Sequence, residues 1–144
     1  MAGCYMDKAV IIEFDELYAP KITSIRGAVF TLEQGIDEAI DFDGQDAGAV
    51  HILVSSDGHF IGTGRMLDDG HIGRLAVLRE HRGKGFGAMA VSALVDEARR
   101  RGMKRVYLGA QMHAVGFYKK LGFSKCGAPF VEAGIEHIEM ERCI

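Results

Sequence analysis

The chain has 144 residues and a formal net charge of −3, with 48% hydrophobic and 26% charged side chains. That is enough for one domain around one core, with the composition of an ordinary globular protein. The acidic balance argues against a nucleic-acid binder, which carries a basic excess. No apolar run reaches the roughly 18 residues of a membrane span, and the N-terminus has no signal-peptide apolar region. Cys4, Cys126 and Cys143 are an odd number of thiols without metal-ligand spacing. Free thiols, a cytoplasmic location, no bound metal and no membrane contact follow as expectations.

Segment 8–14 (KAVIIEF) is short, β-branched and apolar, and predicts a first strand. A helix is expected over about 19–30, with Pro20 in its first turn and Ile22, Ile25, Ala28 and Val29 facing inward. Segment 31–44 (TLEQGIDEAIDFDG) is acidic and irregular. It is either a solvated loop or short helix, or a pocket wall whose carboxylates attract a cationic amine. Segments 48–55, 59–66 and 71–78 predict strands. The turns Asp57-Gly58 and Asp69-Gly70 join them into an antiparallel meander. Gly62, Gly64 and Gly73 inside these strands point to bulges or close backbone approach.

A helix over about 85–101 follows, with Phe86, Met89, Ala90, Ala93, Leu94 and Ala98 on its apolar face and Gly102 ending it. Segment 104–109 is the next strand. A right-handed strand-helix-strand crossover makes it parallel to 71–78. A helix over about 113–121, capped by Gly122, precedes a final strand pair, 123–126 and 135–142, around a loop containing Pro129. One mixed α/β sheet in a single domain, 1–144, accounts for the chain.

The stretch with the most chemistry is Arg82-Gly83-Lys84-Gly85-Phe86-Gly87, between a strand and a long helix. Glycines let a ligand approach the backbone. The unpaired amides and dipole at the helix start favour an anion, and Arg82 and Lys84 add full charges, so a phosphate is the natural ligand. A P-loop is excluded because no Ser or Thr follows Lys84. Gly83, Gly85 and Ala88 fit the spacing of a dinucleotide fingerprint, but the next apolar run, Val106-Tyr107-Leu108, is followed by Gly109-Ala110-Gln111 with no carboxylate for a ribose. That disfavours a dinucleotide-binding oxidoreductase.

The remaining pattern is Arg-x-x-Gly-x-Gly, filled by Arg82, Gly85 and Gly87 after a strand containing Leu75-Ala76-Val77. Here the sequence resembles the GNAT superfamily of acyl-CoA-dependent N-acetyltransferases, whose signature is (Gln/Arg)-x-x-Gly-x-(Gly/Ala) between the fourth strand and third helix. Phe117-Tyr118-Lys119-Lys120-Leu121-Gly122-Phe123 resembles a second block of that family. Arg26-x-x-Val29-Phe30-x-x-Glu33-Gln34, with the acidic stretch after it, resembles the ElaA-type branch. The resemblance implies a mostly antiparallel central sheet, helices on both faces, and fourth and fifth strands that splay apart.

It also implies roles. The main chain of Leu75, Ala76 and Val77 pairs with the pantetheine arm of acetyl-CoA, as an added strand would. Gly83, Lys84, Gly85, Phe86, Gly87 and Ala88 hold the pyrophosphate, with Arg82 either touching it or shaping the turn. Gln111 touches the cofactor arm. Tyr118 stands where the family commonly carries its general acid, and a phenol can protonate a thiolate. His51, His71, His137, Glu33 and Glu139 remain as candidate bases, with His137 first because a similar Gly-Ile-x-His stretch recurs in the ElaA-type branch. Arg26, Glu33 and Asp43 are expected beside the acceptor.

The expected activity is transfer of an acetyl group from acetyl-CoA to a primary amine of a small cationic acceptor, directly in a ternary complex. The alternative is a non-catalytic acyl-CoA sensor. A monomer and a homodimer fit the sequence equally.

Overall fold

The computed structural model describes residues 6–144; Cys4 lies outside them. Four antiparallel strands, β1 (Lys8–Ile12), β2 (Val50–Ser56), β3 (His59–Met66) and β4 (Ile72–Val77), pair in the order β1-β2-β3-β4. The β2–β3 hairpin turns on Asp57 at φ +51° and Gly58 at φ +78°. Positive φ at both central residues matches the right-handed twist of the flanking strands. A second four-stranded sheet contains β5 (Arg105–Gln111), β6 (Ser124–Lys125), β7 (Phe130–Glu132) and β8 (Ile135–Cys143), with β8 pairing the other three.

Helices cover both faces of the first sheet. Helix α1 (Ala19–Arg26) continues as a π-helical segment, Gly27–Glu33, and a single turn, α2 (Glu38–Asp41), follows. Ile22, Ile25 and Val29 pack there on Leu53 and Ala76. Against the other face lies α3 (Phe86–Arg100). Its Ala90, Val91, Leu94, Val95 and Ala98 meet Ile52, Val54, Ile61 and Met66, because successive residues of a strand face opposite sides. Met89 and Ala93, expected inside, are only partly buried; Val91 and Val95 take the inner positions. Helix α4 (Val115–Lys120) precedes the Gly122 turn at φ +89°.

The single mixed sheet expected from sequence is therefore two sheets. Their strand-to-strand junction is one parallel bridge, His71 to Tyr107, where the Tyr107 N–H donates to the Gly70 carbonyl at 3.1 Å. The crossover is parallel as expected, and β4 and β5 meet only at this end and part beyond it, the splay that the resemblance implies. The loop expected around Pro129 also contains a strand, β7.

A bulge bends β4. Thr63 pairs with Ala76, but Arg65 pairs with Gly73, so Arg74 and Leu75 stand opposite Gly64 alone. Arg74 adopts φ +49°, a left-handed conformation uncommon for a residue with a Cβ. Gly64 stands opposite, where a Cβ would lie 3.2 Å from both Leu75 Cδ1 and Leu94 Cδ1, so a larger residue would press on those side chains.

Gly70 holds the junction. It sits at φ +89°, and a Cβ on it would come within 2.5 Å of the Arg105 carbonyl oxygen. Gly70→Ala is expected to lose about 2–4 kcal/mol of stability, from left-handed strain plus overpacking. Urea denaturation should show a lower midpoint, while Gly73→Ala, with nothing within 4 Å of the new Cβ, should change it little.

Candidate active site

Because β4 diverges from β5 beyond the bridge, a cavity of about 510 Å³ opens between them. Phe30, Gln34 and Ile36 form its roof, Gly73 to Leu75 one side, and Leu108, Gly109 and Gln111 the other. His137, Phe130 and Glu132 of the second sheet and Tyr118 of α4 also line it.

The outer edge of β4 is free along this opening. Leu78 donates its N–H to Ile61 on β3 at 2.8 Å, so the preceding residue, Val77, turns its N–H and carbonyl to the opposite edge. That carbonyl accepts from Arg82 Nε at 2.9 Å, whereas the N–H has no strand partner. Leu75 lines the cavity beside the bulge. Ala76 departs from expectation: it is buried and its main chain faces Thr63 on β3, so it is not on the free edge.

The glycine-rich turn runs from this edge into α3. Gly83 and Gly85 have φ +76° and +89°. The first backbone bond of the helix is Met89 N–H to the Gly85 carbonyl at 3.0 Å. Among the described residues the amides of Gly83, Lys84, Gly85, Phe86, Gly87 and Ala88 have no protein acceptor. A row of free N–H groups at the positive end of a helix is an anion cradle. Gly87 lets the ring of Phe117 approach, since its Cβ would lie 3.3 Å from Phe117 Cζ.

Arg82 is turned away from this cradle. Its Nη2 donates to Glu33 at 2.7 Å, its Nη1 also bonds Glu33, and its Nε holds Val77. The hydrogen bond from Arg82 holds the Glu33 carboxyl below its ordinary value. Arg82 thus shapes the turn and ties it to the π-helical segment. Lys84 is exposed and without an ion-pair partner among the described residues.

Several titratable groups face the cavity. Tyr118 makes no hydrogen bond through its hydroxyl among the described residues, and burial pushes its pKa up to about 12, so the phenol keeps its proton at neutral pH. His137 Nδ1 lies 2.7 Å from the Ile135 carbonyl. A carbonyl only accepts, so Nδ1 carries a proton, and in the neutral ring the lone pair is then on Nε2. His137 stacks on Phe130 at 5.5 Å and pairs across the strands with Gln111, which donates to Gln34 at 3.3 Å. His71 stacks on Tyr107 at 4.6 Å, and burial lowers its pKa. Glu139 also lines the cavity.

The acidic segment is not an open anionic wall. Asp41, Asp43 and Asp46 turn inward onto Arg26, Arg65 and Arg74. Arg26 Nη1 meets Asp46 at 2.7 Å and its Nη2 meets the Asp41 carbonyl at 2.7 Å. Arg65 grips Asp43 with both terminal nitrogens, at 2.8 and 2.9 Å, and reaches Asp46 at 3.1 Å.

Four expectations change accordingly. Arg26 is 0% exposed and lies behind the acceptor region instead of touching it. Asp43 and Glu33 are engaged by arginines, so neither offers a free carboxylate to an ammonium. His51 is removed as a base: it is 0% exposed and donates Nε2–H to the Asp46 carbonyl at 2.8 Å. Glu33 is no base either, being bound to Arg82. Arg74, His113 and Glu132 line the cavity without having been singled out from sequence, where no pattern marks them.

A strand edge freed by a bulge and continued into a helix N-terminus with open amides can take an extended ligand that ends in an anion. The chain belongs to the GNAT acetyltransferase family, whose domain model, described as "Acetyltransferase (GNAT) domain", matches residues 21–143. It is similar to the "Uncharacterized N-acetyltransferase YjcF" of Bacillus subtilis (strain 168), at 34% identity over 92% of this chain and 97% of that one. The crystal structure of Escherichia coli ElaA has 30% identity and a TM-score of 0.84 over 95% of this chain and 99% of that one. The fold is also shared, at 16% identity and TM-score 0.72, by an aminoglycoside 6′-N-acetyltransferase solved with coenzyme A, over 93% of this chain and 96% of that one. No helix of the described residues is long and apolar enough to cross a membrane.

The buried ion network predicts acid sensitivity. For Asp46 burial works to raise the pKa, but the bonds from Arg26 and Arg65 outweigh it and the net shift is downward. The hydrogen bonds from Arg65 hold Asp43 far below its ordinary value. Depressed folded-state values mean that this stabilisation is present above the unfolded carboxyl value of about 3.9 and is lost as pH falls below it. Asp46→Ala, which leaves Arg26 and Arg65 buried without that partner, should cost about 3–5 kcal/mol at neutral pH. Denaturation of both proteins at pH 7 and pH 3 should show the difference shrinking in acid.

Proposed function

We propose that this protein is an acetyl-CoA-dependent N-acetyltransferase that acts on a primary amine by direct transfer in a ternary complex. The observation that carries the reading is a free β4 edge, bordering the cavity at Leu75, that leads along the chain into the open amides of Gly83 to Ala88. The pantetheine arm pairs with the main chain of Leu75 and Val77 as an added strand. The pyrophosphate sits on the helix N-terminus, with Lys84 supplying charge. CoA bound to the aminoglycoside acetyltransferase of the same fold supports this choice of co-substrate.

In the reaction the amine nitrogen attacks the thioester carbon. The carbonyl oxygen gains negative charge, which a β4 amide at Leu75 stabilises. The carbon–sulfur bond then breaks, and Tyr118, protonated at neutral pH, gives its proton to the departing thiolate. His137 Nε2 takes the proton that the amine must lose. Gln111, held by Gln34, borders the arm. The cationic acceptor expected from the acidic stretch loses its main support, because Glu33 and Asp43 are neutralised.

Calorimetric titration with acetyl-CoA, CoA and NADH should give micromolar binding of the two CoA species only. Gly85→Glu should abolish it, whereas Gly85→Ala, with the same left-handed strain and no charge, should weaken it less. Tyr118→Phe should leave acetyl-CoA affinity within twofold and lower kcat by about 100-fold. Binding of acetyl-CoA without turnover on a broad amine panel would favour the sensor. No binding of any CoA species would overturn the reading.

A further inference from the structure

The bulge that opens the cleft does so with an arginine in a conformation that suits glycine. Arg74 Nε donates to the Asp41 carbonyl, and its Nη2 donates to the Ile40 carbonyl and Asp43 Oδ2, each at 3.1 Å. Three bonds fix the guanidinium on one side. Nη1 has no acceptor among the described residues, yet it is not among the sealed, unpartnered atoms, and Arg74 lines the cavity. The free edge of a guanidinium is thus held in place at the cavity wall. It is adjacent in sequence to Leu75 and lies at the end of β4 away from the phosphate cradle, so an anion meeting it belongs to the acceptor and not to CoA.

Carboxylates line the cavity too: Asp41 beside Arg74, paired with it at 3.3 Å, and two glutamates of the second sheet, Glu132 on β7 and Glu139 on β8, of which Glu139 pairs with Arg105. Glu132 has no ion-pair partner among the described residues. Between the walls stand Phe30, Ile36 and Ile40. From this arrangement we infer that the acceptor is an amino acid-like molecule, carrying a carboxylate bound by Arg74 Nη1 as well as the amine that is acetylated. The inference rests on the acetyltransferase reading above and deepens it. A guanidinium already held by three acceptors loses little freedom on binding, and its charge-assisted bonds to a carboxylate are strong. Arg74 is already paired with Asp41 and Asp43, so an acceptor without the anion loses only the bond at Nη1, and that one charge-assisted bond is what discriminates.

The test uses the full chain with saturating acetyl-CoA and thiol detection of released CoA. L-leucine, L-phenylalanine, L-lysine and β-alanine are each compared with their carboxamide and their decarboxylated amine, and phosphoethanolamine is added for a phosphate in place of the carboxylate. In parallel, N-acetyl-L-leucine and N-acetyl-L-leucinamide are titrated calorimetrically into the CoA-loaded protein, which gives a readout without turnover. At least one acid should exceed its amide and amine tenfold or more in kcat/KM, or the acetylated acid should bind at least tenfold more tightly than its amide. Arg74→Gln should erase that preference with acetyl-CoA affinity within twofold, and Arg74→Lys should restore part of it. Phosphoethanolamine preferred over every carboxylate, equal use of acids and neutral partners in both assays, or a preference that survives Arg74→Gln would overturn the inference while leaving the acetyltransferase reading intact. Absence of acetyl-CoA binding would overturn both.

Discussion

One extra residue in β4 governs the rest of the structure. With Arg74 at φ +49° opposite Gly64, the strand leaves the plane that would carry it alongside β5. Main-chain groups that a continuous sheet would consume stay unpaired at its edge. Unpaired buried amides and carbonyls are costly, so an open edge persists only where water or a ligand reaches it, and here a cavity does. The bend is held from both sides: a side chain at Gly64 would press on Leu75 and Leu94, and the Gly70–Tyr107 bond clamps the strands together at the other end.

The arginine–aspartate network acts as the foundation of that bend. His51, Arg65 and Gly73 lie in register across β2, β3 and β4, and the segment after α1 lays Asp41, Asp43 and Asp46 over them. Removing one charge from such a set leaves others buried without partners, which makes it rigid more than it makes it strong. The network fixes the Arg74 guanidinium, and the Arg82–Glu33 pair fixes the phosphate turn to the roof of the cavity. Both ends of the cleft are therefore anchored to the same helical segment, 19–41.

What could be read from the sequence was what residue identity alone determines. Gly83, Gly85 and Gly87 with flanking cations announce an anion cradle because backbone freedom and charge are local properties. The Asp57-Gly58 turn and the amphipathic period of α3 are local in the same sense. Gly64 and Gly73 marked a bulge or close approach, and the register shift lies between them; what was not legible is the left-handed Arg74, since nothing about that residue in sequence predicts it and it depends on Gly64 and the junction at Gly70. The fate of the acidic stretch was not legible either, since an aspartate facing water and one facing a buried arginine look the same, and Arg26 and Arg65 lie 15 and more residues away. Strand β7 is three exposed residues that follow a proline loop, too short for a periodic signal.

The measurement that bears most directly on the account is residue-resolved amide hydrogen exchange with and without saturating acetyl-CoA. Ala76 and Leu78 should be protected in both states, since their main chains face β3. Val77 and the amides from Gly83 to Ala88 should exchange freely in the unliganded protein and become protected with acetyl-CoA. Protection of Val77 before ligand is added, or saturating binding that leaves this edge and turn unchanged, would contradict the claim that a strand edge opened by the Arg74 bulge receives the co-substrate.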